Sequence, residues 1–136
     1  MNSSIVFLMV LVAFVTAETC KLGEKRRIKS GSYYEECVPK FDTAGCYASW
    51  EKIESKRFIG NGEEIDRMYR SNSVGFRYKC EMNNGFISFS PIGCVINKKK
   101  GMEFLKLNAS GKLDNGQSVK CKQNHAGEFS FEFGEN

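Results

Sequence analysis

Apolar and polar residues alternate along much of this chain, most clearly near its end. Phe129, Phe131 and Phe133 fall on one face and Ser130 and Glu132 on the other, the period of two of a half-buried strand. Phe86-Ile87-Ser88-Phe89-Ser90 reads similarly, with Ile87 and Phe89 on the inward face. Three further runs read as short strands ending at a cysteine: Tyr33–Cys37, Phe76–Cys80 and Gln117–Cys121. Gly31, Gly75 and Gly116 precede those cysteines by five or six positions. Asn83-Asn84-Gly85 follows the second run and His125-Ala126-Gly127 the third, so each predicts a β-hairpin. Asn61-Gly62 and Asn115-Gly116 are further turn signals, and the two prolines, Pro39 and Pro91, lie in segments leading to a Gly-Cys pair. Ala48–Phe58 is the exception. Trp50 and Ile53 share a helical face there, and the segment is left open between a short helix and an irregular loop.

These signals parse the chain into three related units, 18–45, 46–93 and 94–136, the first two closing on Gly45-Cys46 and Gly93-Cys94. The expected fold class is all-β: small disulfide-stapled antiparallel hairpin modules in series. Ahead of them, residues 5–15 form an unbroken apolar run of eleven within an uncharged segment, 1–17. That run is too short to span a bilayer and suits the core of a signal peptide. Val15-Thr16-Ala17 supplies the small-residue pattern for cleavage after Ala17, so the expected location is secreted, extracellular.

Export explains the cysteines. Cys20, Cys37, Cys46, Cys80, Cys94 and Cys121 make an even set in an oxidising compartment, most simply three disulfides, whose pairing spacing alone leaves open. There is no CxxC, and His125 is the one imidazole, so no metal site or cofactor is expected.

A leading Cys, a Gly-Glu pair, an aromatic strand ending in Cys, a turn and a closing Gly-Cys resemble one family. It is the fibronectin type I-like module of nematode secreted proteins related to abnormal cell migration protein 18. The likeness is strongest over Cys46–Cys94, through Asn61-Gly62-Glu63, Gly75–Cys80 and Pro91-Ile92-Gly93-Cys94. It continues to Cys121 and reaches back to Cys20-Lys21-Leu22-Gly23-Glu24. The closely spaced second cysteine pair of ordinary fibronectin type I modules is absent, so their fibrin- and heparin-contact residues do not carry over. The resemblance implies a secreted, matrix- or basement-membrane-associated glycoprotein that binds rather than catalyses, with a role in cell migration. It also implies the pairing Cys20–Cys37, Cys46–Cys80 and Cys94–Cys121. A hairpin turning at Asn83–Gly85 agrees, because Cys80 and Cys94 would be out of register across it.

Candidate chemistry is sparse. His125 reads as a solvated turn residue, and the adjacent carboxylates Glu35-Glu36 and Glu63-Glu64 point to opposite faces of a strand, so an enzyme is not expected. Two basic clusters, Lys25, Arg26, Arg27 and Lys29 with Lys21, and Lys98-Lys99-Lys100, are candidates for sulfated glycosaminoglycan, although the net charge is only +4. Asn108-Ala109-Ser110 is a glycosylation sequon in a turn-like stretch. The expected partners are extracellular proteins and glycosaminoglycan, with no nucleic acid and no membrane span. The alternative is a secreted effector such as a protease inhibitor or defence protein, for which Val38–Gly45 is the one candidate loop.

Overall fold

The computed structural model describes residues 20–28, 31–48, 50 and 57–135. The signal-peptide reading of 1–17, Lys29 and most of the Ala48–Phe58 segment lie outside them. The described residues form eleven strands: β1 (Lys25–Arg27), β2 (Tyr33–Cys37), β3 (Phe41–Tyr47), β4 (Phe58–Gly60), β5 (Glu64–Tyr69), β6 (Val74–Asn83), β7 (Phe86–Lys98), β8 (Gly101–Leu105), β9 (Ser110–Lys112), β10 (Ser118–Gln123) and β11 (Phe129–Phe133). They make three antiparallel sheets, ordered β1-β2-β3-β4, β5-β6-β7-β8 and β11-β10-β9. The protein is all-β, a set of disulfide-stapled hairpin sheets.

One three-stranded meander is built three times: β1-β2-β3, β5-β6-β7 and β9-β10-β11. Each middle strand carries a cysteine, and each such cysteine faces a phenylalanine on the third strand: Cys37 faces Phe41, Cys80 faces Phe89 and Cys121 faces Phe131. A tight turn precedes each first strand, at Lys21–Glu24, Gly60–Glu63 and Lys106–Ala109, closed by a hydrogen bond from the fourth residue's N–H to the first residue's carbonyl. The third residue of each turn is left-handed, with φ of 84° at Gly23, 86° at Gly62 and 68° at Asn108. Its N–H donates to the cysteine carbonyl of its own meander at 3.2, 2.6 and 2.7 Å, and that cysteine's N–H donates back to the next residue's carbonyl. Three copies of one local hydrogen-bonding pattern thus set each cysteine against a turn.

The Gly-Cys pairs lie inside continuous strands, Gly45-Cys46 in β3 and Gly93-Cys94 in β7. A register shift precedes each, between Tyr34 and Glu35 and between Arg77 and Tyr78 on the facing strand, so one extra residue bulges out before each glycine. Beyond the glycine the strand pairs on a new side: β3 takes β4, and β7 takes β8. In this way one long strand finishes one meander and begins the link to the next. The glycines are required by close approach. A Cβ on Gly93 would lie 2.6 Å from the Phe104 ring and 2.8 Å from the Leu105 carbonyl, and one on Gly45 would strike Tyr34 and the Ile59 carbonyl. The bulge in the central sheet is flanked by an ion pair, Arg77 Nε to Asp66 Oδ1 at 2.8 Å and Nη2 to Oδ2 at 3.2 Å. Residues 66 and 77 face each other directly across β5 and β6. The hydrogen bond to Asp66 raises the Arg77 pKa against the lowering effect of burial.

The three disulfides are Cys20–Cys37, Cys46–Cys80 and Cys94–Cys121, the pairs that the family resemblance implies, with Cα separations of 5.9, 5.8 and 5.7 Å. Cys80 and Cys94 face Phe89 and Phe76, in different places along the β6–β7 hairpin. Two of the disulfides cross from one sheet to the next, and each sits at the centre of a core. Cys46 and Cys80 are buried with Ala48, Ile59 and Ile65, while Cys94 and Cys121 are buried with Val74, Ile96, Leu105 and Val119. Loops of these lengths lead each bond to stabilise by about 3 kcal/mol through the unfolded chain. Cys20 lies three residues before the turn residue Gly23, the place held by buried Ile59 and Leu105 before Gly62 and Asn108. At that place the first turn carries Cys20, which pairs with Cys37 of the same meander. We expect Gly93→Ala to destabilise by about 1–3 kcal/mol, because the facing backbone carbonyl cannot yield. Gly85→Ala, with open space around its Cβ but φ of 81°, should cost about 1 kcal/mol through the backbone alone. Denaturant unfolding with the disulfides intact measures both.

Candidate functional site

The basic run at the first strand is not one patch. Lys25, Arg26 and Arg27 occupy β1, an edge strand, so Lys25 and Arg27 point to one face of the sheet and Arg26 to the other. The register sets Lys25 opposite Glu36 and Arg26 opposite Glu35. The pairs close at 4.0 Å for Lys25 Nζ to Glu36 Oε1 and 2.9 Å for Arg26 Nε to Glu35 Oε2. Each cation also lies over aromatic rings: Lys25 near Tyr34 and Phe58, Arg26 at 3.7 Å from the Phe41 centroid, and Arg27 at 4.5 Å from Tyr47. Burial pushes the Tyr34 phenol up, with Glu36 and Glu63 adding to the shift. The adjacent carboxylates Glu35 and Glu36 therefore serve as cross-strand counter-charges.

The second basic run is more open. Lys98 ends β7 and pairs with Glu103 at 3.3 Å, while Lys99 and Lys100 form the exposed turn into β8. The Lys99 backbone N–H donates to Asp114 Oδ2 at 2.8 Å, which fixes that turn against the loop before β10. The two basic runs belong to different sheets.

Of the candidate inhibitor segment 38–45, three residues form a loop and the rest are strand. Val38, Pro39 and Lys40 are exposed, and Val38 N–H donates to the Lys40 carbonyl at 2.9 Å. The Cys20–Cys37 disulfide lies at the base, with Cys20 Sγ 3.4 Å from the Pro39 carbonyl. Asn108 is exposed at the left-handed position of its turn, and Ser110 opens β9 at the surface. His125 is exposed in the β10–β11 loop, where the Asn124 side chain accepts the N–H groups of Ala126 and Glu128. All six cysteines are in disulfides, and among the described residues no group of three or more His, Cys, Asp or Glu is arranged to hold a metal.

The aromatic stripes line the two seams between sheets. In the first seam Tyr78, Phe89 and Trp50 pack together, Trp50 stacking on Phe89 with centroids 5.5 Å apart. In the second, Phe76 stacks on Phe131 at 4.5 Å and 8°. That packing is incomplete. A groove of about 320 Å³ remains open between Tyr69, Arg70 and Phe76 on one side and Phe129, Phe131 and Phe133 on the other. Its lining is almost wholly apolar, and the Arg70 guanidinium stands 4.0 Å from the Phe133 ring centroid. Sequence reading selected the phenylalanines but not Tyr69, Arg70 or Val74, which arrive from a turn about sixty residues away. No local pattern marks that meeting. Phe86 is separate: it sits on the outward face at the hairpin tip, 81% exposed.

No known protein family, curated protein or solved structure matches the chain. The likeness to the fibronectin type I-like module therefore rests on the residues that carry it. The position of Asn108 makes a specific expectation. Asn108→Gly should fold with unchanged or slightly raised stability, since the other two turns use glycine there, whereas Asn108→Val should lose about 1–2 kcal/mol. If the sequon is used in a eukaryotic secretory host, Asn108→Gly also removes one glycan's mass, read by mass spectrometry before and after enzymatic deglycosylation.

Proposed function

We propose that this chain is a secreted, non-catalytic extracellular interaction protein, associated with extracellular matrix or basement membrane. The observation that carries the reading is the threefold repetition of a small cysteine-bearing meander, with each cysteine paired either inside the first unit or across to the neighbouring sheet. Such an array spends its buried residues on joining sheets, so what it offers a partner is its outer surface: turns, edge strands and exposed side chains. Three disulfides suit an oxidising compartment. Among the described residues no helix is long and apolar enough to cross a membrane. The module-like order of Cys, Gly-Glu, aromatic strand and Gly-Cys supports the matrix assignment and the link to cell migration. Glycosaminoglycan contact, on this reading, falls chiefly on Lys99 and Lys100, because the β1 cations already face carboxylates and rings.

The test is retention of the purified, disulfide-intact protein on immobilised basement-membrane extract and, separately, on heparin at physiological salt. Retention on the extract is expected. Heparin retention, where it occurs, should fall steeply with salt and be lost in a Lys99→Gln, Lys100→Gln double variant. Free passage through both columns would overturn the matrix reading.

One observation favours a second reading. The exposed Val38-Pro39-Lys40 loop, backed by a disulfide, has the placement a protease-inhibitory segment needs. A panel of serine proteases at stoichiometric protein separates the two readings: tight inhibition abolished by Lys40→Ala selects the inhibitor, and slow cleavage or indifference removes it.

A further inference from the structure

The open groove in the second seam is a built feature. Its rim residue Arg70 begins a run of three non-glycine residues in the left-handed region, Arg70, Ser71 and Asn72, with φ of 49°, 53° and 67°. L side chains avoid that conformation, and such runs persist where surrounding bonds enforce them. Here Ser73 Oγ donates to the Arg70 carbonyl at 2.6 Å, and Ser73 N–H to the Tyr69 carbonyl at 3.2 Å. Asn97 holds the same turn from β7, its side-chain amide donating to the Asn72 carbonyl at 3.0 Å and its N–H to the Ser73 carbonyl at 2.9 Å. A left-handed turn, closed by Ser73 and tied to β7 through Asn97, thus carries one guanidinium beside an aromatic-lined cleft.

The chain itself shows what this architecture places between sheets. In the first seam an indole, Trp50, four residues after Cys46, lies on Phe89 and Tyr78 while the Arg67 guanidinium stands 5.2 Å from its ring. Four residues after Cys94 the second seam has Lys98, which turns instead to Glu103. In the second seam Phe76 takes the stacked place on Phe131, at 4.5 Å, and the groove that remains open beside this pair is bounded by the rings of Tyr69, Phe129 and Phe133 and by Arg70.

Resting on the interaction reading above and naming its contact, we propose that this groove receives an aromatic side chain of a protein partner, with an adjacent carboxylate on that partner held by Arg70. The apolar walls take the ring by burial against Tyr69, Phe129 and Phe133. Arg70 selects for the anion beside it, since a guanidinium presents a planar fork to a carboxylate.

The experiment is an NMR titration of the full ¹⁵N-labelled, disulfide-intact protein with N-acetyl-L-tryptophan, and in parallel with N-acetyl-L-tryptophanamide, sodium decanoate and simple dilution. The expected result is saturable shifts confined to Tyr69–Val74 and Phe129–Phe133, with the amide binding about threefold more weakly for loss of one solvent-exposed charge contact. Arg70→Gln, at an exposed position, should erase the difference between the two tryptophan probes. Absence of saturable shifts at these residues overturns the proposal. So does binding of decanoate without tryptophan, which would assign an aliphatic ligand, and so does a shift on dilution alone, which would assign a second copy of this chain. The matrix reading fails or stands separately: retention on basement-membrane extract unchanged in Arg70→Gln would keep that reading and place the contact elsewhere. Groove binding without retention would do the reverse.

Discussion

A meander of three short strands cannot bury enough apolar surface to be stable alone, and that shortage is what the two inter-sheet disulfides answer. Cys46–Cys80 and Cys94–Cys121 lie fully buried at the two seams, each surrounded by a handful of aliphatic and aromatic side chains. The rest follows from them. The third strand of each of the first two meanders must reach the next one's middle strand with a cysteine, so it must outrun its own sheet. That is why β3 and β7 bulge, pass through a glycine crowded by an aromatic ring, and continue as the first strand of a new hairpin.

The repetition is closer in hydrogen bonding than in sequence. Gly23-Glu24 and Gly62-Glu63 are the same pair but the third turn has Asn108-Ala109, yet all three exchange the same two backbone bonds with their cysteines. Backbone groups can be copied without copying side chains, which leaves the exposed positions free to differ. The units differ there in ways that matter for recognition. The first carries cations neutralised across the strand, the second a solvent-exposed Phe86, and the third the sequon and one wall of the aromatic groove.

The two seams show how a repeated frame acquires distinct surfaces. In the first, residues after Cys46 return Trp50 to the aromatic pair. In the second, β7 runs on to Lys98 and turns at once into β8, so no comparable side chain comes back. The difference lies in the length of the connection: an indole closes the first seam, while in the second Phe76 stacks on Phe131 and a groove stays open beside Arg70.

Strands, turns and disulfide stapling were legible in the chain, because alternation, Asn-Gly dipeptides and cysteine parity are local signals with local causes. Phe129, Phe131 and Phe133 declared a strand face, and Asn84-Gly85 declared a hairpin, without reference to anything distant. The surfaces were not legible. Lys25, Arg26 and Arg27 look like one cationic patch in sequence, but pleating divides them between two faces and register places Glu35 and Glu36 opposite. The groove joins Tyr69–Val74 to Phe129–Phe133 only because Cys94–Cys121 draws the third sheet onto the second. By itself the sequence determined the elements and the need for cross-links. Which faces those cross-links covered, and which they left open, was decided by long-range packing, for which no short window of residues carries a signal.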